Sequence, residues 1–484
     1  MAGEDTGFFG HPQGLSTLFF TEMWERFSYY GMRALLILFM TATIAEGGLG
    51  MTTADAGAIY GLTTASVYLA ALPGGWIADQ VLGARRAVLY GGILIASGNF
   101  CLLIPNMTAF YTGLALIVAG TGLLKPNVSA IVGQLYAPGD ARRDSGFSIF
   151  YMGINTGALI APLLCGAVAQ INWRYGFGLA GVGMTFGLIQ YSLGSRSLGS
   201  AGLAPASAAE PARSRGTFRA AAILALLLVV TVILLSRLGY LTAKGVADVS
   251  GIVLLAVVVA FFAWLLTSSR WTQVERKRLV VIAGLFVASC IFWSVFEQAG
   301  STLNLFAERS TDNRVAGYEF PAPWYQSVNA LFLITLAPLF AWLWVRLGRR
   351  EPSSPAKFAW GLLLVGLGFL VLAMGAGVAA SGAKVSPLWL VATYLLHTMG
   401  ELCLSPVGLS AMTKLAPASV TGLMMGVYFL AISVGNYMGG RMASLYDSLA
   451  LETLFSVVGA FAIGAAFVLV LFVKPMVRLM GGVR

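Results

Sequence analysis

The feature that most limits this chain is its succession of long apolar stretches. Read with a window of about 19 residues, the 484-residue sequence contains about fourteen of them: six between 17 and 195, two between 220 and 267, and six between 279 and 473. Each approaches the roughly 20 residues a helix needs to cross the hydrocarbon layer. The stretches are continuously apolar and lack the period-two alternation of barrel strands, so the expected fold class is an all-α polytopic membrane protein. A water-soluble fold is excluded, because charged residues make up only 10% of the chain where soluble domains carry about 25%.

The 30 Lys and Arg exceed the 20 Asp and Glu, for a net charge of +10. With the N-terminus taken as cytoplasmic and the side alternating at each span, loop cations favour the cytoplasm by roughly three to one, as the positive-inside rule requires. The basic excess is therefore a signal of topology, with both termini cytoplasmic, and no nucleic-acid partner is expected. Cys101, Cys165, Cys290 and Cys403 stand singly in apolar runs without a histidine at ligand spacing. No metal and no cofactor are expected. The acidic opening MAGEDTGFFGHPQG lacks the basic region and cleavage site of a secretory leader, so the first apolar stretch is expected to remain as a span.

Residues 195–216, SRSLGSAGLAPASAAEPARSRG, read as a flexible cytoplasmic linker. They divide the chain into an N-terminal six-helix bundle (1–195), a linker with a two-helix insert (196–275) and a C-terminal six-helix bundle (276–484). The insert spans carry no ionisable group in their apolar cores and read as lipid-facing. A repeat links the two bundles: VLGARRAVLYGGILIASGNF from Val81 and VRLGRREPSSPAKFAWGLLLVGLGF from Val345 place a Leu-Gly step and an Arg pair at equivalent points. Two like-oriented six-helix halves around a midplane site are the plan of carriers in which one half rocks against the other.

Seven ionisable residues lie within the spans: Glu22, Glu25, Arg26, Arg33, Lys125, Glu297 and Glu401. Each costs roughly 2.5–3.5 kcal/mol in lipid, so together they must pair with one another or line water. In TEMWERFSYYGMR, the residues Glu22, Glu25, Arg26, Tyr29, Tyr30 and Arg33 share one helical stripe about 16 Å long. Lys125 is followed by Pro126, and a carboxylate partner from Glu22 or Glu25 has the right charge. The three cations belong to the first half, and Glu297 and Glu401 to the second. A cavity with one positive and one negative wall suits a molecule carrying a carboxylate and an ammonium. Four acids against three bases leave one carboxylate in excess, able to carry a proton.

The segment GGWIADQVLGARR resembles the cytoplasmic motif of the major facilitator superfamily, in which Asp79, Arg85 and Arg86 would form a conformational latch. The ExxER run of Glu22, Glu25 and Arg26, followed by FSYYGMR, the GGWIADQVLGARRAV segment and FSIFYMGINTGAL resemble the proton-dependent oligopeptide transporters of that superfamily. The likeness covers nearly the whole chain and includes the extra helix pair of bacterial members. It implies proton-coupled uptake of di- and tripeptides across the plasma membrane by a carrier that acts as a monomer and is not an enzyme. Glu22, Glu25, Arg26, Lys125 and Glu297 would couple protons. Arg33 and Lys125 would hold the peptide carboxylate, and Glu401, helped by Asn155 and Asn329, the amine. Glu297 would pair with Arg33 at an outer gate. Tyr29, Tyr30 and Tyr68 would donate hydroxyls, and Trp293 would wall a side-chain pocket.

Three departures stand out: Tyr428 replaces a frequent Trp, Thr156 follows Asn155 where a small apolar residue is usual, and the second span has no histidine. His397, one turn before Glu401, reads either as a core histidine or as a group that tunes Glu401. The rival readings are a relative moving nitrate, another anion or a metabolite, and a peptide-sensing receptor that does not transport.

Overall fold

A computed structural model describes residues 7–137, 139–203, 242–417 and 420–482. The first expected insert span and the linker from 204 onward lie outside these residues. Thirteen long helices among the described residues account for the remaining expected spans. In the first half they are α1 (Gly14–Thr41), α2 (Thr53–Leu69), α3 (Ala84–Cys101), α4 (Met107–Gln134), α5 (Arg143–Ala169) and α6 (Trp173–Gly194). The described insert helix is α7 (Ala243–Thr267). In the second half are α8 (Gln273–Phe296), α9 (Tyr325–Leu347), α10 (Ser354–Ala379), α11 (Leu388–Leu415), α12 (Thr421–Ala443) and α13 (Leu451–Leu479). A two-residue antiparallel hairpin, Arg314–Val315 with Tyr318–Glu319, lies between α8 and α9.

Local sequence explains the irregular points. Beyond α2 the helix restarts as Ala71–Ile77 and ends in a π-helical turn, Ala78–Leu82. Pro73 cannot donate to the carbonyl of Leu69, which breaks the ladder there. Gly83 and Gly348 then terminate this π-helical turn and α9 with φ of 75° and 48°, a conformation open to glycine and costly for other residues. The Leu-Gly step of the repeat is thus the same helix stop used twice.

The chain forms two compact units, Met1–Leu35 with Ser66–Val246, and Leu36–Ala65 with Ala247–Arg484. In the first, α3 lies against α4 and α6. A Cβ on Gly91 would come within 2.6 Å of the Gly120 carbonyl oxygen, and one on Gly92 within 2.6 Å of Leu188. In the second, α10 has the matching neighbours: a Cβ on Gly361 would meet the Gly400 carbonyl at 3.1 Å, and one on Gly366 the Gly459 carbonyl at 2.8 Å. Small residues let these helices approach where lipid gives no hydrophobic drive. The third helix of each half packs on the fourth and the sixth, which supports the repeat read from the two basic turns.

The start of the linker departs from expectation. Ser195–Leu198 forms a 3-10 turn, and Leu198 and Ala201 are buried in a core with Leu15, Val88, Ile131 and Tyr191. Arg85 donates to the carbonyls of Ala201 (2.6 Å) and Gly199 (2.5 Å), and its backbone N–H to Gly202 (3.0 Å). Residues 195–203 are therefore fixed to the start of α3, because two apolar side chains are buried and one arginine satisfies carbonyls that no helix pairs. Lys357, in the first turn of α10, is 6% exposed, lies 4.3 Å from the Trp344 ring centroid and pairs with Glu351 at 2.5 Å.

Candidate substrate and proton site

The α1 stripe folds as its spacing predicts. Glu22, Glu25, Arg26, Tyr29 and Arg33 are all at least nine-tenths buried, and Tyr30 is partly so. Arg26 lies between the two acids: its Nε is 3.3 Å from Glu22 Oε1, its Nη2 donates to Glu25 Oε1 at 2.7 Å, and its Nε also contacts Glu25. The fork geometry of guanidinium allows one arginine to hold two carboxylates. The Arg26 guanidinium is 5.1 Å from the Tyr29 ring centroid, and Arg33 is 5.8 Å from that of Tyr30. These rings order the cations between helical turns.

Lys125, on α4, projects its ammonium over Tyr68 of α2 at 4.1 Å, and it is close enough to Glu22 for a coulombic interaction. The next residue, Pro126, interrupts the helical ladder without ending α4. The first unit thus brings together Glu22, Glu25, Arg26, Lys125 and Tyr68. Asn155 of α5 is buried and donates to the Tyr151 carbonyl at 2.9 Å. Thr156 makes the same kind of bond back to Met152, at 2.9 Å, so it sits in an undisturbed helix. Asp79 stands in the π-helical turn, Arg85 points to the 199–201 carbonyls, and Arg86 is exposed.

In the second unit, Asn329 of α9 donates to Glu401 Oε2 (3.2 Å) and Thr398 Oγ1 (3.0 Å) on α11. Glu297 opens a 3-10 turn after α8 and is 4% exposed. Trp293 packs edge-on to Phe296, with ring centroids 5.4 Å apart, and faces Gly435 of α12, where a Cβ would come within 2.4 Å of the Trp293 Cβ. Tyr428 is buried, with its hydroxyl 3.3 Å from Ser405 Oγ. His397 is 1% exposed and stacks on Phe369 of α10 at 5.4 Å, the setting of a packed core histidine.

Sequence reasoning missed several buried polar groups. Ser433 donates to the Ala65 carbonyl at 2.9 Å, and Gln298 donates to the Ser294 carbonyl at 3.0 Å while accepting from Thr302 at 2.6 Å. Polar residues amid apolar helices were the available signal. At the other end of the chain, His11 Nδ1 lies 3.0 Å from Tyr136 Oη, and Arg142 donates to the Gly10 carbonyl at 3.2 Å. These contacts fasten the segment before α1 to the α4–α5 loop.

An all-helical membrane fold with ionisable side chains buried inside both units is the build of a polytopic carrier. The chain belongs to the POT family, whose pattern matches residues 85–459. It is 44% identical to the peptide transporter YePEPT of Yersinia enterocolitica subsp. palearctica serotype O:3 (strain YE-P4), covering 99% of this chain and 97% of that protein. It is 38% identical to a di-/tripeptide transporter of Lactococcus lactis subsp. cremoris, over 99% of this chain and 98% of the relative. A crystal structure of a peptide transporter POT in complex with sulfate matches 99% of this chain and 98% of its own, with 44% identity and a TM-score of 0.93.

Proposed function

We propose that this protein is a proton-coupled symporter of di- and tripeptides that works by alternating access. The observation that carries the reading is the grip of one guanidinium, Arg26, on two buried carboxylates, Glu22 and Glu25. Two acids on one base leave room for a proton: protonating one acid still leaves a neutral buried pair, which a membrane interior tolerates. Lys125 is positioned by Tyr68 to hold a peptide carboxylate together with Arg33. Glu401, oriented by Asn329, holds the peptide amine with help from Asn155. Tyr29, Tyr30 and Tyr68 offer hydroxyls, and Trp293 walls a side-chain pocket. Glu297 carries a proton and pairs with Arg33 in the outward-closed state, and Asp79, Arg85 and Arg86 latch the cytoplasmic side.

Charge-assisted contacts at both peptide ends select for length, since a longer chain cannot end at both sites. The relatives named for peptide and di-/tripeptide transport support this substrate class. The carrier resides in the plasma membrane with both termini cytoplasmic, acts as a monomer, catalyses no reaction and needs the proton alone as coupling ion. The test is uptake into proteoliposomes under an imposed pH step with a peptide-length series. Accumulation of di- and tripeptides with accompanying proton flux is expected, and tetrapeptides should be excluded. Saturable binding without flux would instead identify a sensor, and preferential uptake of nitrate over dialanine an anion carrier.

A further inference from the structure

Helix α7 lies outside both six-helix repeats, and one side of it is exposed, with Val249, Ile252, Val253 and Leu255 among its exposed side chains. A helix with only lipid to face would need no polar attachment, but its first turns are joined to α12 by two polar contacts and a close approach. Asp248 pairs with Arg441 at 2.8 Å. Tyr437 donates its hydroxyl to the Ala247 carbonyl at 3.0 Å. Gly251 gives that ring room, since a Cβ there would lie 2.1 Å from the Tyr437 hydroxyl. Tyr437 and Arg441 are four residues apart, so they form one face of α12.

The adjoining face of α12 meets α2. Ser433 donates to the Ala65 carbonyl and Ser444 to the Ala54 carbonyl, both at 2.9 Å. Between these bonds the backbones nearly touch, because a Cβ on Gly440 would lie 2.3 Å from the Gly61 Cα. Residues 54–65 of α2 lie in the same compact unit as α12, but α2 belongs by sequence to the first repeat and α12 to the second, so on the transport reading this seam works as one repeat rocks against the other. The α7 contacts alternate along α12 with the seam contacts, in the order 433, 437, 440, 441, 444. A rotation of α12 about its axis would disturb both sets together.

We infer that α7 is a positioning element for turnover: through Asp248–Arg441 and Ala247–Tyr437 it fixes the rotation of α12 and so sets how α12 closes on α2. The insert thereby has a role beyond lipid contact. This role rests on the transport reading, and wild-type carrier measured alongside keeps the two separable: failure of wild-type uptake strikes the transport reading, whereas failure confined to the variants strikes the positioning role.

The experiment is dialanine uptake by the full-length carrier in proteoliposomes, normalised to folded carrier, for Asp248→Arg, Arg441→Asp and the double exchange. Partly exposed ion pairs have modest coupling, so each single reversal should lower Vmax by roughly two- to fivefold with KM unchanged. The exchange should restore Vmax to about wild type, a rescue that general destabilisation would not give. Tyr437→Phe, which keeps the ring and removes only the hydrogen bond, should lower Vmax in the same way and covers the case in which a reversal does not fold. Wild-type Vmax in the single variants and in Tyr437→Phe would overturn the inference, as would a change confined to KM or an exchange that folds and fails to restore turnover.

Discussion

In the first unit Arg26 is gripped by Glu22 and Glu25, and Lys125 lies over the Tyr68 ring, whereas in the second unit Glu401 is oriented by the amide of Asn329. The first arrangement sets charge against charge. The second uses a neutral donor, which fixes a carboxylate in place without cancelling its charge. On the proposed function, a proton exchanged at the α1 cluster redistributes charge among residues already in contact, while Glu401 is the carboxylate that receives a cation brought by the substrate. The two roles proposed for these groups, coupling and amine recognition, thus rest on different kinds of contact.

The contrast breaks most severely if a cation is taken from the first unit. Lys125→Ala leaves the α1 carboxylates in excess, and removing one member of a buried charge set costs about 3–5 kcal/mol. Gradient-driven accumulation of dialanine should fall at least about a hundredfold, measured as the initial rate under an inward proton gradient. Glu401→Gln comes next. It removes a charge-assisted contact, so the KM for dialanine should rise by about 10- to 100-fold, while an N-acetylated dipeptide, which has no ammonium, should be affected far less. Equal losses for the two peptides would show that Glu401 does not read the amine.

Asn329→Ala sharpens the comparison from the neutral side. With the orienting amide gone, the KM for dialanine should rise about tenfold with proton-driven exchange intact. Tyr68 separates its ring from its hydroxyl: Tyr68→Ala should cost about fivefold in uptake through the lost cation–π contact, and Tyr68→Phe should recover most of that loss. If Phe behaves like Ala, the hydroxyl is the working group.

The smallest effect lies outside the membrane. Asp140 is held below the usual carboxylate range by the Arg142 side chain and then by its backbone N–H, and Arg142 also holds the Gly10 carbonyl. A lowered folded-state value means that the stabilisation is complete above the unfolded carboxylate range, near pH 4, and is lost as pH falls through the lowered value. Limited proteolysis of the segment before α1 should therefore accelerate only under strong acid, and Asp140→Asn should show that acceleration already at neutral pH.

The α1 site was legible because a stripe of like period cannot face lipid, so Glu22, Glu25, Arg26 and Arg33 point inward on sequence grounds alone. That same charge removes α1 from the nine helices that length and composition mark as spans among the described residues. Its identification depends on reading the charges as a face and not as interruptions. Arg85 was less legible: its acceptors are backbone carbonyls of Gly199 and Ala201, which leave no signature in residue type. The burial of Lys357 was not legible either, because it comes from the Trp344 ring, and distance along the chain says little about which ring covers a lysine. The seam of Gly61 and Gly440 is hidden for a similar reason, since small residues mark close approach without naming the partner helix.

Because Gly199, Ala201 and Gly202 are bonded to Arg85, and Gly202 also to Gln134, the first six helices tie off this end of their bundle before the chain enters the insert. A change of chain length just after residue 203 then leaves that knot tied, so the connection can lengthen or shorten over evolutionary time with the first repeat still able to seal itself. A designer wishing to add a reporter domain should splice it after that knot, because an insertion only a few residues earlier would unfasten the start of α3.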